Sequence, residues 1–283
     1  MVKKPVYILL ITLLFSSCAE LKKLSNVQKP TVSVNDFRVT ELTLQNIELT
    51  FDLEVANPNP ISVSLASYDF DLLIEENSFV KGTQSLTTNI DANASSIISI
   101  PVRFTFKELY QTFKAINAEK EGYYKFLGNI GINVPVLGLL EIPIEKDGAF
   151  PIVKAPTISV SKFSVKNISF TKADVELELN VGNPNSFGMI MNQLDYNINL
   201  NGFDTIEGQT SSSLTVEENE TKSLTIPASF NFLELGSAAY SAIVGGKPFE
   251  YTLSGSADVG ATLPFFKTSS FNFDKSGSVD ILK

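Results

Sequence analysis

The chain predicts a mainly β fold: two tandem antiparallel β-sandwich domains, each with one amphipathic helix. The first observation is a duplication. Pro30-Thr31-Val32-Ser33-Val34 returns 126 residues later as Pro156-Thr157-Ile158-Ser159-Val160. Asn57-Pro58-Asn59 returns at the same offset as Asn183-Pro184-Asn185, and Ile100-Pro101 with Phe104 returns as Ile226-Pro227 with Phe230. A repeat of that length is of domain size and has a core of its own. It is far too long for a solenoid unit. The second observation is alternation. Leu49, Phe51, Leu53 and Val55 alternate with Thr50, Asp52, Glu54 and Ala56, and Val175, Leu177, Leu179 and Val181 alternate with Glu176, Glu178 and Asn180. Period two predicts strands with one buried face and one wet face, as in an antiparallel sandwich. The third is a stripe at spacing 3, 4, 3, formed by Phe106, Leu109, Phe113 and Ile116, which predicts an amphipathic helix. Its second copy, Phe232, Leu235, Ala239 and Ala242, is thinner, with Tyr240 and Ile243 able to supplement it.

Taken in order, residues 1–17 read as a signal peptide. Lys3 and Lys4 precede an apolar stretch, Val6 to Phe15, that is too short to span a bilayer comfortably. Leu14-Phe15-Ser16-Ser17-Cys18 resembles a bacterial lipobox, and Cys18 is the sole cysteine. Cleavage there would leave Cys18 as a lipid-modified N-terminus, anchored by its acyl chains without a transmembrane helix. The alternative is an ordinary secretory signal with an incidental cysteine. Residues 18–29 then form the lipidated cysteine and its tether, whose eleven residues after Cys18 reach at most roughly 36 Å. No acidic run follows Cys18, which points to a protein of the bacterial cell envelope, on the outer membrane and facing the periplasm. Residues 30–155 form the first domain and 156–283 the second.

Within each domain the next strands are Tyr68–Ile74 with Leu194–Leu200, then Ile97–Phe104 with Ser223–Phe230. The helix follows, expected to plug an end or edge of its sandwich. Later strands lie near Tyr123–Val134 and Glu250–Leu263. Strict register is lost after the helix, where Pro135 finds its partner at Pro264, as a loop insertion allows.

Composition excludes several function classes. Removing Lys3 and Lys4 from 22 basic residues leaves 20 against 31 acidic, a net charge of −11. That sign disfavours nucleic acid and electrostatic docking on anionic lipid. The chain has no histidine, so Ser-His-Asp and Cys-His catalysis and histidine-dependent zinc sites are out of reach. No Gly-rich phosphate loop precedes a helix, and Asp36, Asp52, Asp69 and Asp71 lack EF-hand spacing. Glu75-Glu76 and Glu217-Glu218 read as solvated turns. The expectation is a protein without catalytic residues, metal or cofactor. With 43% hydrophobic residues, 21 Phe and no Trp, two sandwich cores are filled without disulfides.

Asn57-Pro58-Asn59 and Asn183-Pro184-Asn185 read as a structural turn motif. Proline donates no backbone hydrogen bond, so the strand stops or bulges there, and asparagine side chains bond their own backbone. A Leu-x-Phe-x-Leu-x-Val strand leading into Asn-Pro-Asn, followed by strand, Ile-Pro-containing strand and helix, resembles the late embryogenesis abundant type 2 family. Its module is also called the water stress and hypersensitive response domain. The resemblance covers residues 30–283. It implies a seven-stranded antiparallel sandwich with one helix, of fibronectin III or immunoglobulin-like shape, an association with desiccation or stress tolerance, and no catalytic residues to carry over. The functional expectation is a lipid-anchored, non-enzymatic envelope protein with a protective or interaction role, its partners being the membrane through its lipid and other envelope proteins. The alternative is a carrier of lipid or another apolar ligand in a groove between sandwich and helix, lined by Phe106, Leu109, Tyr110 and Phe113.

Overall fold

The structure is a computed structural model that describes residues 27–118, 120–200, 205–210, 212–231, 240–241, 244–245 and 248–282. The expected signal peptide, Cys18, most of the expected tether, and Phe232, Leu235, Ala239, Ala242 and Ile243 of the second helical stripe lie outside the described residues.

The first repeat forms β1 (Thr31–Leu42), β2 (Asn46–Ala56), β3 (Val63–Ile74), β4 (Asn77–Ile90), β5 (Ser95–Thr105), α1 (Phe106–Thr112), a 3-10 turn (Lys114–Ala118), β6 (Glu121–Val134) and β7 (Gly138–Pro151). Two sheets result, ordered β1-β2-β5 and β4-β3-β6-β7. The second repeat forms β8 (Thr157–Ile168), β9 (Lys172–Gly182), β10 (Met189–Leu200), β11 (Thr205–Thr210), β12 (Leu214–Val216), β13 (Thr221–Asn231), β14 (Phe249–Ala261), β15 (Ser269–Val279) and β16 (Ile281–Leu282). Its sheets are β13-β9-β8-β16 and β11-β10-β14-β15, with β12 also on β10. The β3–β6, β6–β7, β10–β14 and β14–β15 ladders are antiparallel, while β16 joins β8 in parallel. The mainly β, antiparallel sandwich architecture expected for both repeats is what the chain adopts.

Two compact units emerge. One holds residues up to Thr40, Glu48–Phe104 and Glu121–Pro151; the other holds Glu41–Ile47, Thr105–Lys120 and Ile152–Lys283. The compact units therefore differ from the sequence repeats at three segments, 41–47, 105–120 and 152–155. Within the second unit, Leu42 N donates to Phe265 O (3.2 Å), Lys267 N donates to Leu42 O (2.8 Å), and Gln45 Nε2 donates to Ser270 O (3.0 Å). These bonds tie the β1–β2 turn to the β14–β15 turn.

In the first unit the sheets meet on aromatic rings. Phe51 of β2 stacks on Phe126 of β6 with centroids 4.0 Å apart, and Phe104 meets Phe150 edge-on at 5.5 Å. Leu49, Phe51, Leu53 and Val55 are completely buried, as alternation requires. The opposite face of β2 is not wet, however: Thr50 and Asp52 are also buried. The reason is that Arg38 of β1 and Ser99 of β5 hydrogen-bond to Asp52, and Thr40 of β1 to Thr50, across that face.

The predicted first helix is shorter than its stripe. α1 begins with a capping box, Thr105 Oγ1 accepting from Glu108 N while the Glu108 carboxylate accepts from Thr105 N. It ends at Phe113, whose φ of −121° leaves the helical region. Ile116 is buried instead from the 3-10 turn. Seven residues are too few for a helix to stand by propensity, so packing decides where it stops.

Candidate functional site

Two features occur in both repeats: a buried asparagine clamp and a depression lined by charged, amide and apolar residues on the larger sheet. The clamp is built from the Asn-Pro-Asn motif. Asn57 and Asn59 are buried, as are Asn183 and Asn185. Asn57 Nδ2 donates to Ile61 O (2.8 Å) and Asp91 O (2.9 Å), while its Oδ1 accepts from Asn59 N (3.1 Å) and Asn59 Nδ2 (3.0 Å). Asn59 then holds the incoming chain like a strand partner: its Oδ1 accepts from Gln28 N (2.6 Å) and its Nδ2 donates to Gln28 O (2.9 Å).

The second copy repeats the arrangement. Asn183 Nδ2 donates to Phe187 O (2.7 Å) and Glu217 O (3.0 Å), and Asn185 exchanges the same pair of bonds with Lys154 at 2.7 and 2.9 Å. Main-chain bonds complete it, Asn93 N to Asn59 O and Asn219 N to Asn185 O. Both donors sit at left-handed φ of 55°, a conformation asparagine tolerates. Buried amides with every polar atom partnered hold a chain in place and leave no group for a ligand. Pro58 and Pro184 end the strands that lead into the clamp.

The depression in the first repeat has a volume of roughly 870 Å³ and is lined by Asp69, Asp71, Lys81, Asn129 and Glu145, among others. Its row is set by an aromatic ring lying across glycine. Phe70 pairs with Gly82 and Gly128, and a Cβ on Gly82 would run into the Phe70 ring. In the second repeat Tyr196 pairs with Gly208 and Gly255 in the same way. There a shallower depression of roughly 560 Å³ is lined by Asp195, Asn197, Glu207, Ser256 and Asn272. The acidic groups are held by neighbours. Asn129 Nδ2 donates to Asp69 Oδ1 (3.0 Å), Lys81 Nζ lies 3.1 Å from Asp71, and Asn197 Nδ2 donates to Glu207 Oε1 (2.9 Å). Sequence reasoning passed over this row, although Gly82 and Gly208 stand at the constant offset opposite Phe70 and Tyr196.

A third cluster belongs to the first repeat. Asp52 accepts from Ser99 Oγ (2.6 Å) and from Arg38 Nε and Nη2 (3.0 and 2.5 Å). The Ser99 hydrogen bond, with help from the Arg38 guanidinium, holds its carboxyl below the usual range. Arg103 likewise pairs with Glu48 (2.7 Å). These are the chain's two arginines, and that scarcity was the available signal. Asp52, so held, is not poised to exchange a proton near neutrality. Among the described residues no group of three or more acidic or sulfur ligands could hold a metal ion.

The helical residues expected to line an apolar groove are placed differently from one another. Phe106 and Leu109 are buried, whereas Tyr110 and Phe113 are half-buried. Phe106 stacks on Tyr110 (6.0 Å). The Tyr110 hydroxyl donates to Val153 O, and burial pushes it up to about 12. No helix among the described residues is long and apolar enough to cross a membrane.

The profile of the late embryogenesis abundant protein family matches residues 52–148 and 178–277, one match per repeat. Late embryogenesis abundant protein Lea14-A of Gossypium hirsutum is 23% identical over 137 residues, covering 48% of this chain and 89% of that protein. A desiccation protectant protein of Glycine max is 24% identical over 138 residues, covering 49% and 89% respectively. A solution structure of an Arabidopsis thaliana protein is 21% identical, covers 46% of this chain and 85% of its own, and aligns with a TM-score of 0.39.

Proposed function

The chain belongs to the late embryogenesis abundant protein family, with two family-matching stretches, and from that premise we propose that it is a non-enzymatic, stress-protective protein of the bacterial cell envelope. In this reading Cys18 carries the lipid that anchors it to the outer membrane, facing the periplasm, and the two sandwiches shield neighbouring proteins or membrane during water loss. Relatives described as desiccation-protective support the role. The carrying observation is the doubled depression, where carboxylates and amides stand beside one another on a sheet face. Such groups hold water strongly, and as water leaves they offer hydrogen-bond partners to the polar surfaces it had solvated.

The test is a drying assay. The mature chain is dried with a labile enzyme and, separately, with liposomes, against an inert protein of equal mass and similar acidity. Protection above that control supports the reading; equal performance sinks it. Metabolic labelling with a fatty acid, in the wild-type chain and in Cys18→Ser, tests the anchor. Label lost in the variant is the expected result, and an unlabelled wild-type chain overturns the anchor alone.

A further inference from the structure

One end of the first unit gathers the point where the chain enters, the asparagine clamp and the β6–β7 turn. Gln28 is held there by Asn59, and Asn57 Nδ2 donates to Asp91 O (2.9 Å), just beyond β4. Val63 at the start of β3 pairs with Ile90 at the end of β4, and Ser64 pairs with Asn133 near the end of β6. Val134 then pairs with Gly138 across the turn, and Leu137 N donates to Val134 O (3.1 Å). This is also the end that the tether joins, at most roughly 36 Å of chain from Cys18.

The turn is apolar and stands in solvent. Val136, Leu137 and Leu139 are 72%, 46% and 56% exposed, and Pro135 and Gly138 are exposed beside them. Pro58 and Pro60 of the clamp loop are exposed at the same end. The chain is acidic, yet it carries no charged residue from Phe126 to Leu140. Glu141, the first charge after the turn, pairs with Gly131, back along the ladder. No ionised group of the turn has to be stripped of water when the turn leaves solvent.

The fold itself does not call for these side chains. Val136 stands at φ +75°, a strained conformation for a β-branched residue and one that asparagine adopts more readily. An exposed valine there supplies neither core burial nor turn chemistry. At the clamp end of the second unit, apolar side chains pack on the protein instead. Phe265 and Phe266 of the β14–β15 connection are half-buried, and the Phe266 ring lies 6.2 Å from that of Phe187.

We propose that the β6–β7 turn is a membrane-docking tip: Val136, Leu137 and Leu139 dip into the bilayer that holds the Cys18 lipid and turn the clamp end of the first unit towards it. The inference rests on the anchor proposed above. Three apolar side chains are too few to hold a protein on lipid by themselves, since even a single acyl chain binds only marginally. With the anchor in the same leaflet the second contact is intramolecular, and a weak one suffices. Its work is orientation. The depression, whose lining starts at Asn129, back along β6 from the turn, stays in water. An uncharged contact is also insensitive to ionic strength, unlike a basic patch on anionic lipid.

The chain has no tryptophan, so single substitutions report locally. Leu137→Trp places the reporter on the tip, and Tyr123→Trp places it at the far end of β6, where Tyr123 is 64% exposed. Each full chain, purified from membranes in detergent, is reconstituted into phosphatidylcholine vesicles with and without brominated acyl chains, and flotation records whether it is bound. Leu137→Trp should show a blue-shifted emission that bromine quenches, unchanged in high salt, and Tyr123→Trp should show neither effect. Adding Val136→Asn to Leu137→Trp should weaken the quenching while raising the melting temperature, because asparagine relieves the left-handed strain but resists entering lipid. A chain that floats with Leu137→Trp unquenched overturns the inference and leaves the anchor standing. Equal quenching of the two reporters also overturns it, since no end of the unit would then be preferred. A chain that does not float overturns the anchor, and the inference with it.

Discussion

The two repeats fill the same place in their cores with different chemistry. In the first, Phe51 stacks on Phe126 at 4.0 Å; the equivalent positions in the second are Leu177 and Leu253, likewise completely buried. The clamp around Asn57 and Asn59, by contrast, is reproduced bond for bond around Asn183 and Asn185. Apolar packing tolerates exchange so long as volume is filled. A buried amide does not, because each lost partner leaves an unsatisfied group. The difference between the repeats separates what the fold requires from what merely fills it.

The largest expected effects come from the core. Phe51→Ala should cost about 4 kcal/mol and Leu177→Ala about 3 kcal/mol, the Phe site leaving the bigger cavity. Denaturant unfolding with hydrogen exchange on β2 and β9 measures both. A Leu177→Ala cost exceeding that of Phe51→Ala would contradict the volume argument.

Next come Asn57→Ala and Asn183→Ala. Each removes one donor shared among buried carbonyls and one acceptor held by the second asparagine. A cost of about 2–3 kcal/mol is expected, equal in the two repeats. Here equality is the prediction: a loss in one repeat at least twice that in the other would mean the matching geometry hides unequal roles.

How much of this was legible in the sequence depends on what recurs. The constant offset carried the duplication, and alternation in Leu49–Val55 and Val175–Val181 carried the paired inner faces. The Asn-Pro-Asn motif was legible as a turn, but its reach to Gln28 and Lys154, 31 residues upstream, was not. A single alternating strand also conceals which side chains its neighbours lay over it, which is why the burial of Asp52 under Arg38 and Ser99 was not legible. The glycine row beneath Phe70 and Tyr196 needs strand pairing before it has meaning.

The outer faces sharpen the comparison at a smaller scale. Asp52→Asn should cost about 1 kcal/mol, since the Arg38 partner is half exposed. Glu178→Gln, at the equivalent position, should change stability within about 0.5 kcal/mol. The pH dependence distinguishes them further. A carboxyl whose folded value lies below its unfolded value stabilises above that unfolded value, about 3.9. That stability is lost as pH falls through the folded value. The gap between wild type and Asp52→Asn should therefore close as pH is lowered below about 4, and acid unfolding curves will show whether it does.

A further effect, of similar size, should change sign between repeats. Tyr124 and Tyr251 occupy equivalent places, each ring lying over a glycine, Gly148 and Gly277. Tyr251 Oη accepts a long bond from Val160 N (3.4 Å), whereas Tyr124 Oη is buried without a partner among the described residues. Burial, with the nearby Asp147 charge adding to it, raises the Tyr124 hydroxyl above its ordinary value. Removing an unpartnered buried hydroxyl relieves a desolvation cost, so Tyr124→Phe should stabilise by about 1 kcal/mol. Tyr251→Phe gives up a weak bond and should destabilise by about 0.5 kcal/mol. A raised folded value also means that stability present below the ordinary tyrosine range, about 10, is lost as pH climbs through the folded value. Tyr124→Phe should therefore flatten the alkaline limb of the stability profile as well. Calorimetric melts of both variants at neutral and alkaline pH measure the two signs together, and a Tyr124→Phe variant less stable than wild type would show that the hydroxyl has a partner after all.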